Sequence, residues 1–428
     1  MSFINHRFHS SMSMRGRDET SDTVWAHYLY QLEEDKMKIT TRNFGSSVFA
    51  IGMAGAMILA STCANAQDTK SNFKIGVILP LTGSTAWGGR SAKVAAEMAA
   101  QEVNQGGLAG SQKIELIFAD GACEPRSSFS VAQKLVNSDH VQAIIGEWCS
   151  SASIAIAQVA EDAKIPMVVQ SSTADGIAKN AGKYVFQSIM QNRDINAREA
   201  EMLMRTFKFK TAAILVENND FGLSFQKNMT ASLEKAGIKL LVNLAQDRQD
   251  TNWYSTLTRV QNAKPDIVVI SVSAGQAANF VKQYSESNIK IPLFSDYPPP
   301  PYIFEKQVGL QAGKIGLVRG TFFIEHAKES AAQRTFVAKF EPILQKAIGE
   351  KQKATQWDVE AYDAVMILAN ALMRGGAKSD GFLKAMVATR YDGVLGKYEF
   401  DSDRGVKPSG QDFLFIKNLP NGTLKVLE

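Results

Sequence analysis

The chain has 428 residues, of which 45% are hydrophobic and 21% are charged. This is the composition of a globular protein with room for about two to three domains, and it excludes a disordered or collagen-like chain. A formal net charge of +4 is too small, for a chain of this length, to indicate nucleic-acid binding.

The first 66 residues differ in character from the rest. From Met37, the basic residues Lys38 and Arg42 precede an uncharged apolar stretch over 44–60, and the small-residue triplet Ala64-Asn65-Ala66 follows. This order is typical of a secretory signal peptide, so we predict one over 37–66, with cleavage after Ala66 and export of the rest of the chain.

Two alternatives for this segment are a transmembrane anchor and a lipoprotein attached through Cys63. The apolar stretch is short for a bilayer core about 30 Å thick, and no basic cluster follows it. Residues 1–36 show no apolar periodicity, and we interpret them as an extension from a misassigned translation start.

Cys123 and Cys149 are the two cysteines that remain after the predicted cleavage. An even number in an exported chain indicates one disulfide, which in the chain-entropy model would add roughly 3 to 4 kcal/mol of stability. Two buried free thiols are the alternative.

The next region alternates short apolar runs with amphipathic stretches, which predicts βα units around a mostly parallel sheet. The predicted strands of the first series lie near 74–79, 113–119, 143–146 and 167–170, with helices near 91–104, 127–137 and 150–163. Those of the second series lie near 212–217, 239–244, 267–272 and 293–295, with helices near 221–236, 253–263 and 275–287.

Beyond Gly320 the pattern is mainly helical, and from Tyr391 it is extended. The predicted helices lie near 330–348, 357–373 and 380–389. With too few strands left for a third sheet, these helices should pack back onto the earlier layers. The sequence therefore predicts two α/β lobes with several crossings, and the cleft between them is the expected ligand site.

The sequence offers little for catalysis. After the predicted cleavage only His140 and His326 remain as histidines, and the nucleophile-elbow, zinc-protease, P-loop and dinucleotide-binding motifs are missing. Paired carboxylates of a hydrolase cannot be seen in a sequence. We expect no enzyme activity, no catalytic residue, no metal and no cofactor.

Two polar clusters follow neighbouring predicted strands. Ser150 and Ser151 open a helix after Gly146, and Ser171-Ser172-Thr173 follows the next strand. The first cluster can simply cap the helix, but hydroxyls beside free backbone N–H groups also bind a carboxylate. Because carboxyl ends of adjacent parallel strands face one crevice, we expect both clusters at one anion site.

Four spaced motifs resemble periplasmic substrate-binding proteins of branched-chain amino acid ABC importers. They occur in the order Pro80-Leu81-Thr82-Gly83, Asn104-Gln105-Gly106-Gly107-Leu108-Ala109-Gly110, Asp120-Gly121-Ala122-Cys123-Glu124-Pro125 and Gly146-Glu147-Trp148-Cys149-Ser150-Ser151-Ala152-Ser153. The resemblance covers about residues 73–428, and both cysteines fall where the family carries a disulfide.

The resemblance implies a type I periplasmic-binding fold, in which two Rossmann-like parallel-sheet lobes are joined by three hinge segments and close on a small ligand. We expect residues 67–191 and 323–394 to form the first lobe. Residues 192–322 and 395–428 are expected to form the second.

By the same resemblance, Ser150 is expected to bind a ligand carboxylate, and Ser171 and Thr173 to bind both carboxylate and ammonium. Trp87 falls where the family places an aromatic residue beside the ligand. In the second lobe Phe221 and Ser273 stand where the family has tyrosines.

The acidic residue that neutralises the ligand ammonium should fall near Ser295. Direct register places Tyr297 there, with Asp296 one residue early, so the sequence leaves open which of the two faces the ligand. Without that countercharge an ammonium in a dry site would cost several kcal/mol.

We therefore expect a monomeric periplasmic receptor that binds a small amphipathic carboxylate, foremost an aliphatic or branched-chain amino acid, and delivers it to a membrane ABC permease. A receptor for an aromatic carboxylate or an amide is the alternative on the same fold. A ligand-sensing protein and a hydrolase are the alternatives from other classes.

Overall fold

The computed structural model describes residues 72–107, 109, 112–296, 304, 308, 310–321, 330–349, 352–411 and 413–427. The predicted extension and signal peptide, together with Tyr297 and His326, lie outside these ranges. Among the helices within them, none combines the length and the apolar character that a membrane span requires.

The first βα series forms five strands and four helices. The strands are β1 (Phe73–Leu79), β2 (Ile114–Asp120), β3 (Ala143–Ile145), β4 (Met167–Val169) and β5 (Val185–Gln187), and the helices are α1 (Ala86–Gly106), α2 (Pro125–Asn137), α3 (Ser150–Ala163) and α4 (Ile177–Ala181). Strands β3, β4 and β5 are buried along their whole length, as expected for a parallel sheet covered on both faces.

Helix α1 begins at Ala86, five residues before the predicted start at residue 91. The pair Gly88-Gly89 argues against a helix on propensity alone. Here the pair is needed for close packing, because a Cβ at Gly88 would lie 2.3 Å from the Trp148 ring and one at Gly89 2.0 Å from the Pro80 carbonyl oxygen.

The second series begins with a helix that the sequence pattern does not predict, α5 (Asn192–Phe207). It continues through β6 (Thr211–Glu217), α6 (Asp220–Lys235), β7 (Lys239–Gln246), α7 (Tyr254–Ala263), β8 (Ile267–Ser271), α8 (Ala274–Glu286), β9 (Leu293–Asp296), α9 (Gln311–Lys314) and β10 (Val318–Thr321).

The last part of the chain contains three helices and then short strands. These are α10 (Ala331–Ile348), α11 (Gln356–Gly375), α12 (Ser379–Val387), β11 (Tyr391–Asp392), β12 (Lys397–Tyr398), a 3₁₀ turn (Pro408–Gly410), β13 (Leu414–Asn418) and β14 (Leu424–Val426). Helix α11 packs along α1, and α12 packs on α11, so the helices return to the first series as the sequence predicts.

Two sheets result. The first has the strand order β2-β1-β3-β4-β5 and is parallel throughout. The second has the order β14-β13-β10-β9-β8-β6-β7, in which β13 and β14 add an antiparallel edge to a parallel sheet. We call the first sheet with its helices the first lobe and the second sheet with its helices the second lobe.

The predicted α/β class with two parallel-sheet lobes is confirmed. The boundaries predicted for the lobes stay predictions. They are compatible with the position of α11 and α12 beside the first sheet and of β13 and β14 in the second.

Candidate functional site

A cavity of about 270 Å³ lies where the carboxyl ends of strands from both sheets face each other. Five of the eight predicted ligand residues line it: Ser150, Ser171, Thr173, Phe221 and Ser273. Since an apolar cavity of about 150 Å³ accommodates benzene, this volume suits a single amino acid or a single ring.

Three residues of the first lobe form what we call the hydroxyl wall: Ser150, Ser171 and Thr173. Ser150 is the first residue of α3, so its hydroxyl lies beside the free N–H groups of that helix. Its Oγ accepts a hydrogen bond from the Ala174 backbone N–H over 3.3 Å.

Thr173 Oγ1 is buried and has no hydrogen-bond partner among the described residues. A buried hydroxyl without a partner costs about 1–3 kcal/mol, unless another molecule satisfies it. Because Thr173 lines the cavity, the residues of the wall favour occupation by a polar ligand.

Neighbouring serines support the loop before α3 instead of lining the cavity. Ser153 Oγ and Ser172 Oγ lie 2.8 Å apart, and both donate to the Glu147 carbonyl oxygen. Gly146 begins this loop with φ of 150°, and a Cβ there would lie 2.7 Å from the Ile78 carbonyl oxygen. A side chain at this position would therefore displace the strand beside it.

Three tryptophans pack together behind and beside the hydroxyl wall. The ring centroids of Trp148 and Trp357 are 4.6 Å apart, and the Trp87 ring meets them edge-on at 5.5 and 5.3 Å. Trp148 and Trp357 line the cavity, whereas Trp87 lies outside the lining. The structure thus makes Trp87 a support for the two lining rings.

The opposite side of the cavity carries charge. We call Glu217, Asp247 and Arg248 of the second lobe the charged wall. Glu217 Oε1 accepts hydrogen bonds from Ser273 N (2.9 Å) and Ser273 Oγ (2.5 Å), and its Oε2 accepts one from Asn219 Nδ2 (2.9 Å). Ser273 therefore holds Glu217 in place.

Asp296 is the predicted partner of a ligand ammonium, but the structure does not bring it to the cavity lining. Its carboxylate is buried and accepts a hydrogen bond from Ser271 Oγ at 2.8 Å. Burial raises the pKa of Asp296 to about 6. Burial and the Asp296 charge raise the pKa of Glu199 well above its usual range. Which of Asp296 and Tyr297 faces the ligand therefore stays open, because Tyr297 lies outside the described residues.

The structure joins Cys123 and Cys149 by a disulfide, with their Cα atoms 5.3 Å apart. Glu147 lies buried beside it, accepting hydrogen bonds from the backbone N–H of Cys123 (3.1 Å) and of Cys149 (3.0 Å). Burial raises the pKa of Glu147 to about 7, although these two N–H groups oppose the shift. Within the described residues these three form the one grouping of metal-ligand type, and the disulfide occupies both sulfurs.

Five residues at the site escape sequence reasoning: Glu217, Asp247, Arg248, Trp357 and Glu360. Trp357 lines the cavity, and Glu360 accepts a hydrogen bond from Ser171 Oγ. Both lie in the first turns of α11, which the Thr355–Asp358 capping box fixes. The sequence does show that Trp357 and Glu360 are three residues apart, which places them on one face of a helix. It does not show which sheet that helix covers.

Comparison with known proteins gives a consistent result. A family model described as periplasmic binding protein matches residues 72–413. The chain is 23% identical over 378 residues to the leucine-, isoleucine-, valine-, threonine- and alanine-binding protein of Pseudomonas aeruginosa, covering 87% of this chain and 95% of that protein.

Two solved structures share the fold. One is the branched-chain amino acid transporter substrate-binding protein of Streptococcus pneumoniae in complex with isoleucine, with a TM-score of 0.72 and 21% identity over 83% of this chain and 99% of the other. The second is an ABC transporter solute-binding protein of R. palustris in complex with benzoate, with a TM-score of 0.71 and 21% identity over 83% and 95%.

Proposed function

The chain belongs to the periplasmic binding protein family, and from this premise we propose that it is a receptor for a small aliphatic amino acid that it delivers to an ABC importer. The observation that carries the ligand class is Thr173, a buried hydroxyl on the cavity lining without a partner among the described residues. With Ser150 at the start of α3, it offers a carboxylate two hydroxyl donors beside a helix N-terminus.

The cavity volume and the relatives support the amino-acid assignment. About 270 Å³ is enough for one amino acid. The relatives include a protein named for binding leucine, isoleucine, valine, threonine and alanine, and a structure that holds isoleucine.

Membership of this family implies a periplasmic location and solute binding instead of catalysis. Beyond that, we propose that the signal peptide is cleaved after Ala66, that the receptor is monomeric, and that its partner is a membrane ABC permease. Closure of the two predicted lobes on the ligand would present the permease with a different outer surface. Sequencing the amino terminus of the exported protein tests the cleavage, because any first residue other than Gln67 contradicts it.

A receptor for an aromatic carboxylate is the second candidate. Its supporting observation is that Trp148, Phe221 and Trp357 all line the cavity, where their rings could pack against a benzene ring. The solved structure with benzoate shows that this fold can hold such a ligand.

A thermal-shift screen separates the two candidates. The exported protein is unfolded and refolded to remove carried ligand, and then tested with leucine, isoleucine, valine, benzoate and 4-hydroxybenzoate. At 100 times its dissociation constant a ligand adds about 2.7 kcal/mol, which raises the melting temperature by several degrees. A shift with the aliphatic amino acids alone supports the first candidate, a shift with the benzoates alone supports the second, and no shift with either contradicts both.

A further inference from the structure

The hydroxyl wall is not chemically uniform, because one of its hydroxyls faces a buried carboxylate. Ser171 Oγ lies 2.5 Å from Glu360 Oε2, and both residues are buried. Glu360 Oε1 accepts a further hydrogen bond from Gln356 Nε2 at 3.4 Å, so both carboxylate oxygens are acceptors and Ser171 is the donor in this pair. The proton of the Ser171 hydroxyl is therefore committed to Glu360, and only its oxygen lone pairs remain for a ligand.

The other two hydroxyls have the opposite polarity. Ser150 Oγ accepts from the Ala174 backbone N–H, which leaves its own proton available to an acceptor. Thr173 Oγ1 has no partner among the described residues, so it too can donate. The wall thus offers two donors and, at Ser171, an acceptor with a negative charge directly behind it.

We propose that Glu360 makes the site selective for ligands that carry an N–H donor next to a carboxylate. The ligand carboxylate accepts hydrogen bonds from Ser150 and Thr173, and its ammonium group donates to Ser171. Glu360 is a positioning residue that acts through Ser171 and supplies the countercharge in place of Asp296. This inference rests on the proposed receptor function and narrows its ligand class to α-amino acids.

Glu217 is the competing source of negative charge, since it also lines the cavity. Its carboxylate already accepts three hydrogen bonds from Ser273 and Asn219, and it belongs to the opposite lobe. In an α-amino acid the ammonium is attached to the carbon beside the carboxylate. A carboxylate bound at Ser150 and Thr173 therefore places the ammonium near Ser171, on the same side of the cavity.

The test compares L-leucine with 4-methylpentanoate, which has the same carbon skeleton without the amine. Calorimetry at pH 7 on the protein purified after export of the full-length chain gives both dissociation constants and hence an amine preference. We expect the wild type to prefer leucine by at least about tenfold, as for a charge-assisted hydrogen bond. In Glu360→Gln the amide can donate to Ser171 and carries no charge, so this preference should fall about tenfold while 4-methylpentanoate binds no more weakly.

Asp363→Asn is the matched control, because it removes a buried carboxylate charge from the same helix at a position outside the cavity lining. It should leave the preference within about twofold. Glu217→Gln is the test of the competing carboxylate. If Glu360→Gln folds poorly, Ser171→Ala provides a second variant, and it should lower the preference to a similar extent. The double variant should then lose little more than either single one, since Glu360 acts through Ser171.

The outcomes separate this inference from the receptor function itself. If Glu360→Gln and Ser171→Ala keep the amine preference, or if Glu217→Gln abolishes it, the role of Glu360 is wrong. If the wild type binds 4-methylpentanoate or benzoate but not leucine, the inference fails and a carboxylate receptor remains. If none of these ligands binds, both fail.

Discussion

The two walls of the cavity differ in how they can recognise a ligand. The hydroxyl wall presents neutral side chains at the start of a helix and at a strand end, where distances of about 3 Å decide binding. The charged wall presents Glu217, Asp247 and Arg248, whose influence extends over about 8 to 10 Å at ordinary ionic strength. We infer that the hydroxyl wall selects the ligand by hydrogen bonds, whereas the charged wall mainly attracts it over a longer distance.

The largest expected effect is on the stability of the protein, and it comes from a change within the first lobe. Replacing both Cys123 and Cys149 by Ser should lower the free energy of unfolding by roughly 3 to 4 kcal/mol, since a loop of 26 residues is no longer closed. Urea unfolding with and without reductant measures this change, and the wild type under reductant should match the variant. Two titratable thiols in the denatured, unreduced protein would contradict the disulfide.

Thr173→Val should have the largest effect on affinity. Valine keeps the shape but removes a donor to the ligand carboxylate, so binding should weaken by about 1 to 3 kcal/mol, or about 5- to 150-fold. Calorimetry on the refolded protein checks this. The control is Thr258→Val, an exposed site on α7. Equal affinities of both variants would remove Thr173 from the site.

The pH dependence of stability distinguishes Glu147, which lies buried in the loop before α3, from ordinary surface carboxylates. The pKa of Glu147 is about 7 in the folded protein against 4.5 ordinarily, so the folded state binds its proton more tightly than the unfolded state does. Stability from this group is therefore full below about pH 4.5 and decreases as the pH rises to 7.

In Glu147→Gln the decrease in the free energy of unfolding between pH 5 and pH 7 should be smaller by about 2 kcal/mol. Urea unfolding across this range measures the slope independently of the absolute stability. Glu97→Gln, at an exposed position on α1, should retain the wild-type slope. Parallel curves for the wild type and Glu147→Gln would show that Glu147 titrates normally.

The smallest effect is expected on the charged wall. Arg248 is half-buried on the cavity lining. Arg248→Gln should slow the association of an anionic ligand and reduce affinity by less than about 1 kcal/mol. Stopped-flow fluorescence at low and high salt measures the rate, and Asp247→Asn should change it in the opposite direction. A loss as large as that of Thr173→Val would mean that the two walls do not differ as inferred.

Sequence reasoning reached those residues of the cavity lining whose position depends on local order. The strands that precede Ser150 and Ser171 are apolar runs, and the position of hydroxyls at their ends follows from the chain alone. It did not reach β5, three residues long, or α5, whose buried positions include the polar residues Asn192, Asn196 and Glu199. A three-residue strand gives too few periods for a pattern to be recognised, and polar residues on a buried helix face obscure the apolar period.

Contacts between segments that are distant in the chain could not be predicted from the sequence either. Ser171 and Glu360 are 189 residues apart in the chain and meet only because α11 packs beside α1. Asp296 shows the limit of register, since a shift of one residue along a strand turns a side chain to the other face of the sheet. Prediction from sequence thus reached the hydroxyls on the cavity lining but not the carboxylate that accepts a hydrogen bond from Ser171.

The antiparallel edge of the second sheet determines when, during synthesis, that sheet can be completed. Strand β13 pairs with β10 in the register Val318–Lys417, so the pairing joins segments about 100 residues apart. While the intervening helices are being made, β10 has an unpaired edge, and the second lobe cannot complete its sheet until β13 and β14 have been made. The sheet of the second lobe therefore closes after that of the first lobe, whose five strands all lie before residue 188.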